Sequence, residues 1–125
     1  MNCESQVING DGTHSRDFTY IDNVLQMNEL ALSTTNANAI GEVFNTAVGE
    51  RADLNKLLKL LKKYLSEYDS KIESVEFKYA EERKGDIPHS LASIEKVKLM
   101  LGYEPSHNLE KSLKEAVAYY WNNLK

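Results

Sequence analysis

Two arginines carry the clearest chemical potential in this chain. Arg16 follows the stretch "INGDGTHS", and Arg83 sits in "ERKGDIP" beside Gly85 and Asp86. Arginine's planar fork of N–H donors matches phosphate oxygens, which accept two parallel hydrogen bonds. A neighbouring glycine lets backbone approach a ligand closely, and a carboxylate such as Asp86 accepts from a ribose hydroxyl. Two loop arginines so attended can clamp a nucleotide diphosphate. Ordinary surface pairing is the alternative, Arg16 with Asp17 and Arg83 with Glu81 or Glu82, and spacing alone leaves both readings open. His89 follows Pro88 in the Arg83 loop, in reach of a ligand or simply facing solvent. His14, His89 and His107 share no metal-ligand spacing. No Ser-His-Asp or Cys-His arrangement emerges either.

Those residues must be positioned by the elements around them. "NGDG" at 9–12 is a strong turn signal. Asp22 is placed to cap a helix carrying Val24, Leu25, Met27, Leu30, Ala31 and Leu32, apolar around much of its circumference and so expected to be largely buried. "TTNANAIG" (34–41) reads as a loop, and "EVFNTAV" (42–48) as a strand covered on both faces. Asp53 caps the next helix, whose stripe is Leu54, Leu57, Leu58, Leu61, Tyr64, Leu65 and Tyr68. Lys56, Lys59, Lys62 and Lys63 form its solvated outer face. "SVEFKYA" alternates as a one-sided strand, with Val75, Phe77 and Tyr79 on one face. Ser93 is placed to cap a short helix with Ile94, Val97 and Leu101, which Gly102 ends before Pro105. A last helix from about Leu109 carries Leu113, Ala116, Val117, Tyr120, Trp121 and Leu124. The sum is a mixed α/β chain with few strands.

A chain of 125 residues fits one domain burying roughly two-thirds of its unfolded surface. Its net charge of −4 argues against a general nucleic-acid or membrane-surface binder, which needs a basic excess. No apolar run reaches transmembrane length, and "MNCESQV" has no secretory pattern. Cys3 is the single cysteine, so no internal disulfide is possible. That usage suits a reducing cytoplasm, with Cys3 a bystander thiol.

The stretches "GDGTHSRDFTYIDNV", "VFNTAVGER", "ERKGDIPHSLASIEKVKLMLGYEP" and "AVAYYWNNLK" resemble the C-terminal part of NAD-dependent sugar-nucleotide epimerases of the extended short-chain dehydrogenase/reductase family. The likeness points to bacterial UDP-N-acetylglucosamine 4-epimerases of surface-polysaccharide pathways and runs over essentially all 125 residues. It implies that Arg16 and Arg83 contact the diphosphate of a UDP-sugar, that Phe18 lies near the nucleotide, and that Asp86 holds the uridine ribose. Glu50 and Arg51, in "AVGER", fall near the uracil end, with His89 a further contact in the Arg83 loop. Residues 1–48 match the segment that in the family returns to the dinucleotide-binding domain, and 49–125 match the UDP-sugar-binding region.

The chain departs from the family where the family's chemistry resides. Oxidising a sugar hydroxyl with NAD requires a dinucleotide-binding sheet with a glycine-rich phosphate turn. The family also uses a Tyr-x-x-x-Lys pair. The six glycines never form Gly-x-x-Gly-x-x-Gly, and none of the seven tyrosines has a lysine four positions on. Met1 resembles an internal methionine of the longer family chain. These residues are therefore expected to lack the N-terminal Rossmann half, to hold no NAD themselves and to be inactive alone. The partner expected is UDP-N-acetylglucosamine or UDP-N-acetylgalactosamine, with neither nucleic acid nor membrane. Assembly as a homodimer, or by exchange of the N-terminal segment, is expected from the apolar helix left without its cover. A uronate epimerase, dehydratase or decarboxylase of the same family, or a non-enzymatic interaction module, are the alternatives.

Overall fold

The computed structural model describes residues 5–124; Cys3 lies outside them. In chain order the elements are β1 (Val7–Asn9), β2 (Ser15–Arg16), α1 (Ile21–Ser33), a 3₁₀ turn (Ala37–Ala39), β3 (Ala52–Asp53), α2 (Leu54–Ser66), a 3₁₀ turn (Ser70–Ser74), β4 (Lys78–Ala80), α3 (Glu95–Leu101) and α4 (Leu109–Asn123). The architecture is mixed α/β. Its strands form two small sheets, β1 parallel to β4 and β2 antiparallel to β3. Among the described residues no helix is long and apolar enough to cross a membrane.

Local chemistry explains most of the boundaries. The turn after β1 needs left-handed backbone at Gly10 (φ 80°) and Gly12 (φ 77°). A Cβ on Gly12 would also overlap the Asn55 amide, which donates to Asp11 O at 3.0 Å and ties the turn to the start of α2. Asp53 caps α2, accepting from the Lys56 N–H at 2.6 Å. The leucines of α2 are half-buried and Tyr64 is buried, while Lys56, Lys59 and Lys63 are exposed. This face packs on α4 and on the second 3₁₀ turn, where Ile72 and Val117 are buried. Gly102 (φ 67°) closes α3 in the left-handed cap.

A second cluster joins α1 to α3: Met27, Ala47, Ile94, Val97 and Tyr103, with Leu30 and Phe44 against it. Two buried polar groups anchor it. The Tyr103 hydroxyl donates to Ala47 O at 2.9 Å. Asn23, fully buried, accepts from the Ser106 and His107 N–H groups (3.0 and 3.1 Å) and donates to His107 O at 2.8 Å. Each of these buried groups is satisfied, as burial demands.

Several expectations fail for identifiable reasons. Asp22 does not cap α1; Tyr20 occupies that position without a side-chain bond, and Asp22 stands in the first turn, where the helix dipole favours an acid. Nor is α1 largely buried: only Asn23 and Met27 are, while Leu25 and Leu32 are 58% and 89% exposed. "EVFNTAV" forms no strand, because its backbone finds no ladder partner among the described residues. Arg16, expected in a loop, lies in the two-residue β2. The strand in "SVEFKYA" shrinks to β4, since the 3₁₀ turn runs through Ser74 and Val75 N–H closes it on Ile72 O. Val75 and Phe77 are half-buried as the alternation predicts, but Tyr79 is exposed and donates to Asn55 Oδ1. Ser93 does not cap α3; Ile94 takes that place, and Ser93 O accepts from Asn45. Helix α4 begins at Leu109, capped by Asn108, with Val117 buried but Tyr120 and Leu124 exposed.

Candidate functional site

Every residue of the 81–90 loop is exposed, so its position depends on backbone stitching. At its start, β4 lies beside β1 and Gly10 N–H donates to Ala80 O at 3.0 Å. At its end, Ser15 N–H donates to Pro88 O (2.9 Å) and Ser90 N–H to Ser15 O (3.1 Å), while Ser15 Oγ and His89 Nδ1 bond at 2.9 Å. Both ends of the loop are thus fastened to the segment that leads into Arg16. His89 lies at that junction.

The two guanidiniums are held by neutral oxygens. Arg16 Nη1 donates to Ser15 O at 2.9 Å and Pro88 O at 3.4 Å. The Asn9 side-chain amide is assigned the orientation in which its oxygen accepts from Arg83 Nε and Nη2, at 3.0 and 3.2 Å, since the opposite one would set donor against donor. Two of the neighbouring carboxylates are engaged elsewhere. Asp17 accepts from the N–H groups of Val48 (3.0 Å) and Gly49 (2.9 Å), and Glu82 pairs with His14 Nε2 at 2.8 Å. Among the described residues neither Arg16 nor Arg83 forms an ion pair, so the surface pairing that spacing left open does not occur. Asp86 N–H turns back to Arg83 O at 3.2 Å around Gly85 (φ 88°), with its carboxylate exposed.

Asp17 also sets the segment carrying Glu50 and Arg51. Its two oxygens hold successive peptide N–H groups while Tyr103 holds Ala47 O, so residues 47–49 are pinned on both sides. Burial pushes the Tyr103 phenol above its ordinary pKa, and the charge of Asp17 adds to the effect. Gly49 (φ 80°) is required there twice over, since a Cβ would press Ile94 Cδ1 at 2.9 Å. Phe18, Glu50 and Arg51 line one small hollow with Lys56 and Leu109. A broader hollow of about 440 Å³ runs from Glu50 to Leu91 and Lys98. The structure therefore brings Arg16 to the Pro88–His89 end of the 81–90 loop, holds Arg83 at Asn9 near its start, and sets Phe18, Glu50 and Arg51 around one hollow. Asn9 and Ser15 are positioning partners that sequence spacing did not single out, and Asp17, offered by spacing as a partner for Arg16, instead accepts from a segment that begins 31 residues on.

The model of the GDP-mannose 4,6-dehydratase family matches residues 1–116. The chain belongs to this family. Among solved structures of similar fold is UDP-glucose 4-epimerase from Thermotoga maritima with UDP-glucose, 37% identical, TM-score 0.82, covering 98% of this chain and 37% of that one. Another is UDP-N-acetylglucosamine 4-epimerase from Methanobrevibacter ruminantium M1 in complex with UDP-N-acetylmuramic acid, at 32%, 0.81, and 97% against 36%. A third is UDP-glucuronic acid 4-epimerase from Bacillus cereus in complex with UDP-glucuronic acid and NAD, at 32%, 0.81, and 98% against 37%. The chain spans about a third of the length of the curated relatives it matches.

Among the described residues no helix start has the form of a dinucleotide pyrophosphate site. A pyrophosphate site needs free N–H groups at a helix start behind a glycine-rich turn. Here Asp53 and Asn108 close α2 and α4 with their own side chains, and Asp22 and Glu95 place acids in the first turns of α1 and α3. Metal-ligand chemistry occurs at one place among the described residues: Asp22, His107 and Glu115 bring three ligand atoms within 4.8 Å of one another. Sequence spacing gave no sign of it. His107 bonds there to Ser106 (2.8 Å) and Glu115 (3.1 Å), with Asp22 at 3.7 Å, and the group ties α1 to α4.

Proposed function

We propose that these residues form the UDP-sugar-binding side of an NAD-dependent UDP-sugar 4-epimerase. Arg16 and Arg83 grip the diphosphate, Asp86 accepts from the uridine ribose, and Phe18 lies against the nucleotide. Glu50, Arg51 and His89 contribute at the edges. Residues 49–125 supply most of this surface, and residues 1–48 lead back to a dinucleotide-binding portion that the longer relatives have room for. One observation carries the reading: two guanidiniums, on segments stitched to one another, are bonded among the described residues to neutral oxygens and to no carboxylate. Their positive charge is therefore left for an anion, and a diphosphate is the anion whose oxygens best use two arginine forks.

The sugar we favour is an N-acetylhexosamine, on the strength of the motif likeness. The similar structures carry glucose, glucuronate and muramate sugars, and we take the pocket that discriminates among them to lie partly outside these residues. The lone cysteine suits the reducing cytoplasm that we take as its location. A dehydratase is the second reading, favoured by the family model itself, and it would use the same diphosphate grip. The 125 residues alone have neither the glycine turn nor the Tyr-x-x-x-Lys pair and turn over no substrate. Alone, they associate as a homodimer, or exchange N-terminal segments, because α1 leaves apolar side chains uncovered.

Calorimetric titration of the chain with UDP tests the grip. Arg83→Ala is expected to weaken binding by about 1.5–3 kcal/mol, the range for hydrogen bonds to charged groups, and Arg16→Ala similarly. Unchanged affinity in both variants would remove the arginines from the site.

A further inference from the structure

We infer that Asn9 is a positioning residue for Arg83, presenting its guanidinium to an anionic diphosphate while leaving its charge intact; this rests on the reading of the site given above. Asn9 ends β1, opposite Ala80 in the parallel register, and so faces the point where the 81–90 loop departs. Its side-chain oxygen takes the Nε–Nη2 edge of Arg83 at 3.0 and 3.2 Å. A guanidinium has five N–H donors, so this hold fixes its plane and leaves both Nη1 hydrogens and one on Nη2 for a ligand. An aspartate at the same place would make the same two bonds but cancel the charge. Arg16 follows the same rule through the carbonyls of Ser15 and Pro88. Two nearby carboxylates bond elsewhere, Glu82 to His14 and Asp17 to two peptide N–H groups, and among the described residues neither arginine forms an ion pair. Prior fixing of a long side chain lowers the ordering cost when the ligand arrives.

The test titrates the unsubstituted chain, Asn9→Ala and Asn9→Asp with UDP and with uridine, followed by NMR so that weak binding is still measured. Asn9→Ala is expected to weaken UDP about three- to tenfold, the worth of one ordinary hydrogen bond, and to leave uridine unchanged. Asn9→Asp is expected to weaken UDP at least as much, although it keeps both contacts to Arg83. In an Arg83→Ala background Asn9→Ala should have no further effect on UDP, whereas Asn9→Asp, its charge then unpaired, should weaken UDP further. A merely structural role would move UDP and uridine together. Equal losses for the two ligands, or either variant binding UDP as tightly as the unsubstituted chain, would overturn the inference while leaving the site standing. No UDP binding by the unsubstituted chain would bring down the site and this inference together.

Discussion

Helices α1 and α2 are both thirteen residues long and comparable in apolar content, yet they end in opposite situations. Every leucine of α2 is at least half-buried, because α4 and the Ser70–Ser74 turn lie across its apolar face. Helix α1 engages Met27, Leu30 and the buried amide of Asn23, and leaves Ile21, Leu25 and Leu32 more than half exposed. Ile40, Val43 and Leu99 are exposed as well. The pattern of a helix states how much surface needs cover; it does not say which segment provides it. For α2 the cover lies within these 125 residues. For α1 the attachment is made by Met27, Leu30 and one polar anchor, Asn23, in a chain spanning a third of its relatives' length.

The largest effect should come from the covered side. Tyr64→Ala, on the inner face of α2, is expected to cost about 3–5 kcal/mol in denaturant unfolding, as for other buried aromatics. A loss below about 1 kcal/mol would show that α2 and α4 are not the stable pair described. The α1 side should instead be sensitive to alkali. Burial raises the folded pKa of Tyr103 above its ordinary value of 10.0. The unfolded chain then loses that proton first, so the stability Tyr103 contributes is complete below pH 10 and falls as pH rises beyond it. Thermal unfolding between pH 8 and 11 should show that decline, and Tyr103→Phe should flatten it. The smallest stability effect is expected on the exposed face: Leu25→Ser with Leu32→Ser should change unfolding by about 0.5 kcal/mol or less per site. Light scattering should nevertheless show association weakened. An unchanged dimer, or a chain monomeric from the start, would mean that this face is not what joins two copies.

What was legible in the sequence was mostly local. Gly10, Gly12, Asp53 and Gly102 act within a few residues of themselves, and each does what its neighbourhood predicts. "EVFNTAV" has the composition of a covered strand, but pairing needs a second strand, and composition cannot supply one. The aspartate of "YIDN" resembled a cap because capping residues are also common in first turns, and here Tyr20 holds the cap position. The arginine residues and their loop were readable by type. Their partners were not: Asn9 and Arg83 meet across a parallel strand pair, and Asp17 reaches Val48 and Gly49 across a fold of the chain. Whether the arginines pair with local acids is decided only by the folded arrangement, in which Asp17 and Glu82 bond elsewhere and neither arginine forms an ion pair among the described residues.

The central claim is that the edge formed by Arg16 and the 81–90 loop binds a nucleoside diphosphate, and that the apolar face of α1 does not. A two-dimensional amide NMR titration of the uniformly labelled chain with UDP addresses both halves at once. The account expects the largest shifts at Arg16, Phe18, Arg83, Gly85 and Asp86, with the Arg83 Nε–H signal moving alongside them, and little change at Leu25 and Leu32. Shifts centred on α1, or none along the loop at millimolar UDP, would contradict it.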